Sequence, residues 1–559
     1  MLFSLANLLL ASSWLVPINA ATKKPNFIFI ITDDQDLHLN SLDYQPAVQR
    51  HFIQQGTSFN RHFCTISLCC PSRVSLLTGR AAHNTNVTDV SAPYGGYPKF
   101  VSEGWNDKYL PIWLQEEGYN TYYTGKLMNG HSITTYNSPY AKGWTQNDFF
   151  LDPNTYIYYN VTLQHNQEPP KYNPGEYSTD LATERSLAHL DDAISKGGPF
   201  FIGVAPIGPH AETISGVFYP AVPAERHKDF FPGLKVPRTE NFNPDVPSGG
   251  SWIRTLEQQN QTVVDYNDEF YRRRIQALQA VDDLVDSIVG RLEEYPDILA
   301  NTYLIYTTDN GYHIGQHRLP PGKTCPIEED YSVPFIIRGP GIEKGKAVSF
   351  PTSHTDIVPT LFDLAGIPLQ DGFDGEPMPV TTEQQAAVVR RSEHVNLEFW
   401  GGSIPEGAYV NDAGGNNTYK SVRVIGDGYN IAYTVWCSNE HELYDMEADP
   451  GQMSNIYGTS GSVYGWSTEK LVARIDGLLL TLKACKGVVC TRPWETLHPQ
   501  GNVASLRDAM APEFDNFYAE QQKKVSFTAC KDGYLADFEG PLQPVIYTSN
   551  TDVSVQYEI

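Results

Sequence analysis

Cys69 stands in the stretch Leu68-Cys69-Cys70-Pro71-Ser72-Arg73-Val74-Ser75-Leu76-Leu77-Thr78-Gly79-Arg80. Pro71 suits the first turn of a helix, where a missing N–H costs nothing, and Ser75-Leu76-Leu77 continues with apolar spacing. Cys69 is therefore expected at a helix N-terminus, where unpaired N–H groups and the positive end of the dipole favour an anion. Arg73, one turn on, adds a charge aimed at the same space, and a tetrahedral oxyanion fits there. The competing reading of such a stretch is an ordinary capped helix with a buried cysteine pair. A second group of residues offers only oxygen: Asp33, Asp34, Asp309 and Asn310 carry up to three negative charges. That set suits a hard divalent cation, Ca²⁺ or Mg²⁺, and has nothing soft for zinc or copper. A single Asp at a strand end is commonly a cap or turn residue. Adjacent Asp33 and Asp34, however, repel each other unless a cation lies between them.

The stretch from Cys69 reads C-x-P-S-R-x-x-x-L-T-G-R, which resembles the signature of the type I sulfatases, whose first cysteine is oxidised to formylglycine. The resemblance implies a sulfuric ester hydrolase of the arylsulfatase kind, with the ion held by Asp33, Asp34, Asp309 and Asn310 beside the modified Cys69. It implies that the formylglycine hydrate attacks sulfur while Arg73, Lys126 and Lys323 neutralise the equatorial oxygens and His210 protonates the leaving alcohol. Gly118-Tyr119-Asn120-Thr121 with Gly125-Lys126 matches the second sulfatase signature, G-Y-x-T-x-x-x-G-K. Its tail departs: Leu127-Met128-Asn129 stands where several arylsulfatases have a histidine that assists sulfate release, and this variant resembles the glucosamine-6-sulfatase branch. Asn129, or His131, is the substitute. A lone loop histidine such as His210 and a lone lysine such as Lys323 are ordinarily solvated surface residues, and only the resemblance raises them. His313 and His317 are candidates to support the site from behind, and Ser353-His354-Thr355-Asp356 is read as structural. Among family members the fungal arylsulfatases are nearest.

These residues need elements to carry them. Asn26 to Ile31, Thr302 to Thr307, Pro199 to Ala205 and Gly118 to Tyr123 are β-prone runs that end next to Asp33, Asp309, His210 and Lys126. Continuous apolar runs of this kind are strands buried on both faces of a parallel sheet, and ligands bind outside the carboxyl ends of such strands. Ile275, Leu278, Val281, Val285, Ile288 and Leu292 recur at helical spacing, and Thr355 to Ala365 forms another helix stopped by Gly366. The fold class expected is α/β: a large, mostly parallel or mixed sheet covered by helices on both faces, the alkaline phosphatase-like fold the resemblance also implies. Beyond about Val380 the texture changes to turns between short β runs, Ser421 to Ile425 and Tyr429 to Tyr433. Glu442-Leu443-Tyr444-Asp445 is like a C-terminal marker of the family, and a helix is expected from about Glu469 to Lys483. Domains are therefore placed at 1–20 (a leader), 21–380 (catalytic) and 381–559 (a smaller α+β cap with an antiparallel sheet). Residues after Cys490 carry no signal.

The chain has 559 residues, 41% of them hydrophobic, and a formal charge of −25. That charge argues against nucleic acid or an anionic membrane surface as partner, and requires any anion pocket to gather its few cations locally. Met1 to Ala20 reads as a secretory leader without a charged start. With the sequons at Asn86, Asn160, Asn260 and Asn416 it favours a glycoprotein of the secretory pathway, secreted or held in the wall or periplasm. No later stretch is apolar for long enough to span a bilayer. Of eight cysteines, Cys485 with Cys490 and Cys437 with Cys530 are candidate pairs, and conversion of Cys69 would leave at least one thiol unpaired. Conversion needs a formylglycine-generating enzyme as a maturation partner, and the substrate partner is a small-molecule sulfate ester. Two rival readings stay open: a phosphodiesterase or phosphonate monoester hydrolase of the same superfamily, and an inactive exported binding glycoprotein. Loops around Phe218-Tyr219 and Trp400 are candidates to shape the substrate pocket.

Overall fold

A computed structural model describes residues 23–388, 392–410 and 416–548; the expected leader lies outside the described residues. The main sheet has ten strands: β1 (Asn26–Thr32), β2 (Thr57–Phe59), β3 (Asn120–Lys126), β4 (Gln146–Phe150), β5 (Thr162–His165), β6 (Lys171–Tyr172), β7 (Phe200–Ala205), β8 (Thr302–Thr308), β9 (Phe335–Arg338) and β10 (Lys346–Val348). Their order is β10-β2-β9-β8-β1-β7-β3-β4-β5-β6. The middle five, β8, β1, β7, β3 and β4, are parallel, and β9 and β5 turn antiparallel at the flanks. All four β runs read from the sequence are thus neighbours in one parallel block, with their carboxyl ends on one rim. The sheet is mixed at its edges, as expected of a large α/β sheet.

Alternation along β1 sorts its side chains to two cores. Phe27, Phe29 and Ile31 pack on one face with Val74 and Leu77 of α1 (Cys69–Thr78) and Leu361 of α4 (Ile357–Ala365). Ile28 and Ile30 pack on the other with Leu181 of α2 (Ser178–Lys196) and Leu284 and Ile288 of α3 (Gln261–Glu293). Period-two burial on both sides is the physical content of the continuous apolar run. The helix expected around Ile275 extends over 33 residues and is capped by Asn260, whose side chain accepts from the Val263 N–H. That cap uses the oxygen of an asparagine that is also a sequon. The fourth run forms strand only from Asn120, two residues late, so that Lys126 itself closes β3.

The C-terminal part builds an antiparallel meander, β11 (His394–Phe399), β12 (Tyr419–Gly426), β13 (Tyr429–Trp436) and β14 (His441–Asp445). One face packs Val422, Ile431, Tyr433 and Leu443 against Leu471, Ile475 and Leu479 of α5 (Thr468–Leu482). The other packs Leu397, Phe399, Tyr419 and Trp436 against Phe63, Ile66 and Leu68 of the N-terminal part, the residues that lead into Cys69. Short helices after Cys490 bring Trp494, Leu497, Phe514 and Phe517 into the first of these cores, a contribution the sequence concealed. Both candidate cysteine pairs are disulfides, Cys437–Cys530 and Cys485–Cys490, and Cys64, Cys69, Cys70 and Cys325 are free and buried. Among the described residues no helix is long and apolar enough to cross a membrane.

The two disulfides close loops of very different length, with sequence separations of 93 and 5. On chain entropy, opening Cys437–Cys530 with paired serines is expected to cost about 4.5 kcal/mol and opening Cys485–Cys490 about 2 kcal/mol. Thermal melts of the two double variants check the ranking; a larger loss from the short loop would refute it.

Candidate active site

Strand ends and one helix start supply the site. Leu68 is extended at the N-cap, Cys69 is the first residue of α1 and Pro71 falls in its first turn, while Gly79, at φ 67°, closes the helix in the left-handed region that a side chain disfavours. Asp33 and Asp34 follow β1; Asp34 is itself left-handed at φ 64°, a conformation stored mainly at functional turns. Asp309 and Asn310 follow β8, His210 follows β7 and Lys126 ends β3. The nine residues assigned to catalysis or the cation converge here, and all are buried: Asp33, Asp34, Lys126, Asp309 and Asn310 at 0%, Cys69 and Arg73 at 1%, Lys323 at 2% and His210 at 3% exposure.

The contacts form one network. The Cys69 thiol lies 3.6 Å from Asp33 Oδ1 and 3.7 Å from Asp34 Oδ1, and Lys323 Nζ lies 3.3 Å from the sulfur. Lys126 Nζ donates to Asp33 at 2.9 Å, and Lys323 Nζ donates to the two oxygens of Asp34 at 2.5 and 2.6 Å. Arg73 donates through Nε to Asp309 Oδ2 at 2.8 Å and through a terminal nitrogen to the Lys126 carbonyl at 2.6 Å. Asn310 Nδ2 donates to Asp34 Oδ1 at 2.8 Å, while its own Oδ1 is buried with no hydrogen-bond partner. His210 Nδ1 lies 2.6 Å from the Ala211 carbonyl, so that nitrogen carries the proton and Nε2 faces the site, 3.6 Å from Asp34 Oδ2.

Burial and charge divide the titrating groups. Desolvation, reinforced by Asp309, lifts the Asp33 carboxyl to about 7 despite Lys126 and Arg73. Burial pushes the same way at Asp34 and Asp309, but Lys323 and His210 at the first, and Arg73 and Lys126 at the second, outweigh it and hold both below the usual range. Burial drives the Cys69 thiol well above its ordinary value against the pull of Lys126 and Lys323, so an unmodified cysteine here is a poor nucleophile. Burial likewise lowers His210 to about 4, with Asp34 opposing.

The oxygens present fit a divalent cation. One ligand atom each of Asp33, Asp34, Cys69 and His210 lie within 4.8 Å of one another, and the orphaned Asn310 oxygen is the atom a hard cation would satisfy.

Other readings sort clearly. His131 packs between Tyr97 and Phe149, with ring centroids 4.4 and 5.0 Å away, and belongs to the core. Asn129 does border the site: its Nδ2 donates to the Tyr156 hydroxyl at 2.7 Å, and Tyr156 stacks on His210 at 4.1 Å and lies under Lys126 at 4.7 Å. His313 supports the Lys323 loop: its Nδ1 lies 2.7 Å from Asp330, whose other oxygen accepts the Cys325 N–H. His317 bonds Ser248 and stays apart. His354 lies 3.0 Å from the Ser72 hydroxyl, which donates to the Asp309 carbonyl, a structural brace as expected. Trp400 itself is buried with its indole donating to Glu539, while the loop that follows it sets Ile404 and Pro405 against Lys323 and Gly322. Phe218 and Tyr219 lie in the hairpin that follows His210 and Ala211.

Three neighbours were missed. Tyr156 has no motif. Arg274 reaches the Asp34 and Pro209 carbonyls and stacks over Tyr312 at 3.8 Å; a charge in the apolar pattern of α3 was its signal. Glu406, from a loop of the C-terminal part, lies 3.2 Å from Lys323 Nζ.

Comparison with known proteins agrees with this geometry. The family model described as sulfatase matches residues 25–367. The chain belongs to the sulfatase family. This sulfatase is 50% identical to a sulfatase, ppz1, of Metarhizium majus over 73% of the chain and 89% of that relative. It is 38% identical to the arylsulfatase of Volvox carteri over 89% of the chain and 81% of the relative, and 30% identical to human N-acetylglucosamine-6-sulfatase over 85% and 87%. The protein is an enzyme that hydrolyses sulfate esters, and the fungal sulfatase and the N-acetylglucosamine-6-sulfatase among its relatives are of the kinds expected from the sequence, while the algal arylsulfatase was not foreseen. A structure solved with its substrate D-glucosamine-2-N,6-O-disulfate shares the fold at TM-score 0.64 and 21% identity, covering 78% of this chain and 94% of that one. A phosphonate monoester hydrolase from Silicibacter pomeroyi shares it at 0.54 and 18%, covering 78% and 92%.

Burial lowers His131 to about 3, so the folded sulfatase keeps it neutral where the unfolded chain takes a proton near 6.5. Stability is therefore lost as pH falls through 6.5 toward 3, by about 2 kcal/mol between pH 7 and pH 5 from this residue alone. His131→Phe is expected to narrow the stability difference between those pH values by that amount in denaturant titrations; an unchanged difference would count against a neutral buried imidazole.

Proposed function

We propose that this sulfatase is an arylsulfatase that works through formylglycine at residue 69. The observation that carries the proposal is the position of Cys69: first residue of a buried helix, flanked by Arg73, Lys126 and Lys323, with a carboxylate set within 4 Å. Asp33, Asp34, Asp309 and Asn310 would hold one cation, Ca²⁺ in preference to Mg²⁺, which when bound supplies Lewis acidity beside residue 69. The hydrate of the aldehyde offers an oxygen nucleophile whose second hydroxyl allows sulfate to leave, where a serine would keep the ester.

The remaining work falls to side chains already in place. Lys126, Lys323 and Arg73 surround the sulfur of Cys69 or the carboxylates beside it, and in a buried site their charge acts on the equatorial sulfate oxygens with little screening. His210 is fixed by its Nδ1 contact with Ala211 and by the Tyr156 ring, so that Nε2 faces the departing oxygen; Nε2 must first take up a proton, forming the imidazolium, and that proton then passes to the departing oxygen. Asn129 takes the place of the usual histidine through its hydrogen bond to Tyr156. Catalysis is assigned to residues 21–380, with residues 381–559 as the smaller domain. Maturation requires a separate formylglycine-generating enzyme. The sequons and the apolar start of the chain support passage through the secretory pathway.

Peptide mass spectrometry across Cys69 on natively produced protein is expected to show the aldehyde, with hydrolysis of an aryl sulfate that a chelator abolishes and Ca²⁺ restores. Asp309→Ala should reduce turnover by at least about a hundredfold, consistent with loss of a group acting on the reacting centre. An unmodified thiol in fully active protein would overturn the formylglycine reading. Preference for the phosphate or phosphonate ester of the same phenol would favour the phosphonate hydrolase reading.

A further inference from the structure

Glu406 is a buried carboxylate outside the proposed cation set, and the backbone places it with care. Ile404 and Pro405 pair with Lys323 and Gly322 in a short antiparallel ribbon, and the Glu406 N–H donates to the Pro321 carbonyl at 2.6 Å. Beyond it the chain turns at Gly407, φ 118°, against the Tyr266 hydroxyl, which accepts the Ala408 N–H at 3.0 Å. The side chain is 1% exposed. Its Oε2 accepts from the Tyr312 hydroxyl at 2.8 Å, and its Oε1 lies 3.2 Å from Lys323 Nζ and 4.0 Å from His210 Nε2.

Lys323 divides its charge between two carboxylates, Asp34 and Glu406. Only the first belongs to the cation set. A cation that takes the Asp34 oxygens competes with Lys323 for the same lone pairs, and an ammonium left unpaired in a buried site is strongly disfavoured. Glu406 is the carboxylate that remains. We propose that Glu406 is a positioning residue: it keeps Lys323 paired when the cation claims Asp34, and so lets Lys323 stay beside residue 69, aimed at the sulfate. The inference rests on the cation reading above and deepens it, since it makes a segment after β11 part of the active site.

The test measures Ca²⁺ binding by calorimetry on full-length protein still carrying the Cys69 thiol, so that no turnover enters. Glu406→Gln, which preserves shape and an acceptor for Tyr312, is expected to weaken Ca²⁺ binding about tenfold, because Lys323 then has only Asp34. Glu406→Asp keeps the charge and is expected to retain most of the affinity. In a Lys323→Met background, Glu406→Gln should change the Ca²⁺ affinity by less than about twofold, the signature of coupling between the two side chains. Binding by the wild type with an unchanged constant in Glu406→Gln would overturn this inference alone. Equal losses in Gln and Asp variants, or a full tenfold loss persisting without Lys323, would overturn it in favour of a packing or through-space effect. Failure of the wild type to bind Ca²⁺ would overturn the cation reading and this inference with it.

Discussion

The structure depends on balancing charge where water has been removed. Three carboxylates, Asp33, Asp34 and Asp309, lie fully buried within reach of one another, and each would be driven to its neutral form if left alone. Arg73, Lys126 and Lys323, equally buried, hold two of the three ionised, while Asp33 stays near the edge of titration. Neither set is affordable without the other. A cation and a sulfate oxyanion restore the same kind of balance, so the site is already arranged for the charges it would exchange.

That balance explains the architecture around it. Residues of opposite charge must meet from distant parts of the chain, and the parallel order β8-β1-β7-β3 brings their carboxyl ends to one rim. Helix α1 then contributes its N-terminus and Arg73 from above the same rim, and Ser72 and His354 brace the Asp309 backbone. Rigidity comes from the two cores that enclose the sheet, since charge pairs at this depth hold their geometry only if the backbone cannot yield.

The C-terminal part is more than a cover for the catalytic sheet. Its meander packs directly on Phe63, Ile66 and Leu68, fixing the approach to Cys69, and a buried Glu398 is shared between His83 of the N-terminal part and Lys420 of the smaller sheet. His83 and Lys420 outweigh burial and bring the Glu398 carboxyl down to about 2, so a charged carboxylate lies at the contact between the two parts. The ribbon that carries Glu406 to Lys323 extends this contact to the site.

Much of this was legible in the residues. A helix start at Cys69, four strand ends, an all-oxygen set and the short Cys485–Cys490 loop follow from local rules: apolar runs, turn residues, caps and the donor chemistry of short motifs. Where reading failed, the deciding contacts were long-range. His131 and Asn129 are two residues apart and equally polar, yet one faces Phe149 in the core and the other meets Tyr156 at the site, and nothing local separates them. Trp400 is buried against Glu539, and it is the loop after it that reaches Lys323. Tyr156, Arg274 and Glu406 carry no motif, because each acts through a partner more than fifty residues away or through a stacked ring. The sequence alone determined which chemical groups sit at strand and helix ends. Only tertiary structure decided which of them share one desolvated volume, since burial and pairing energies depend on distances that chain order does not set.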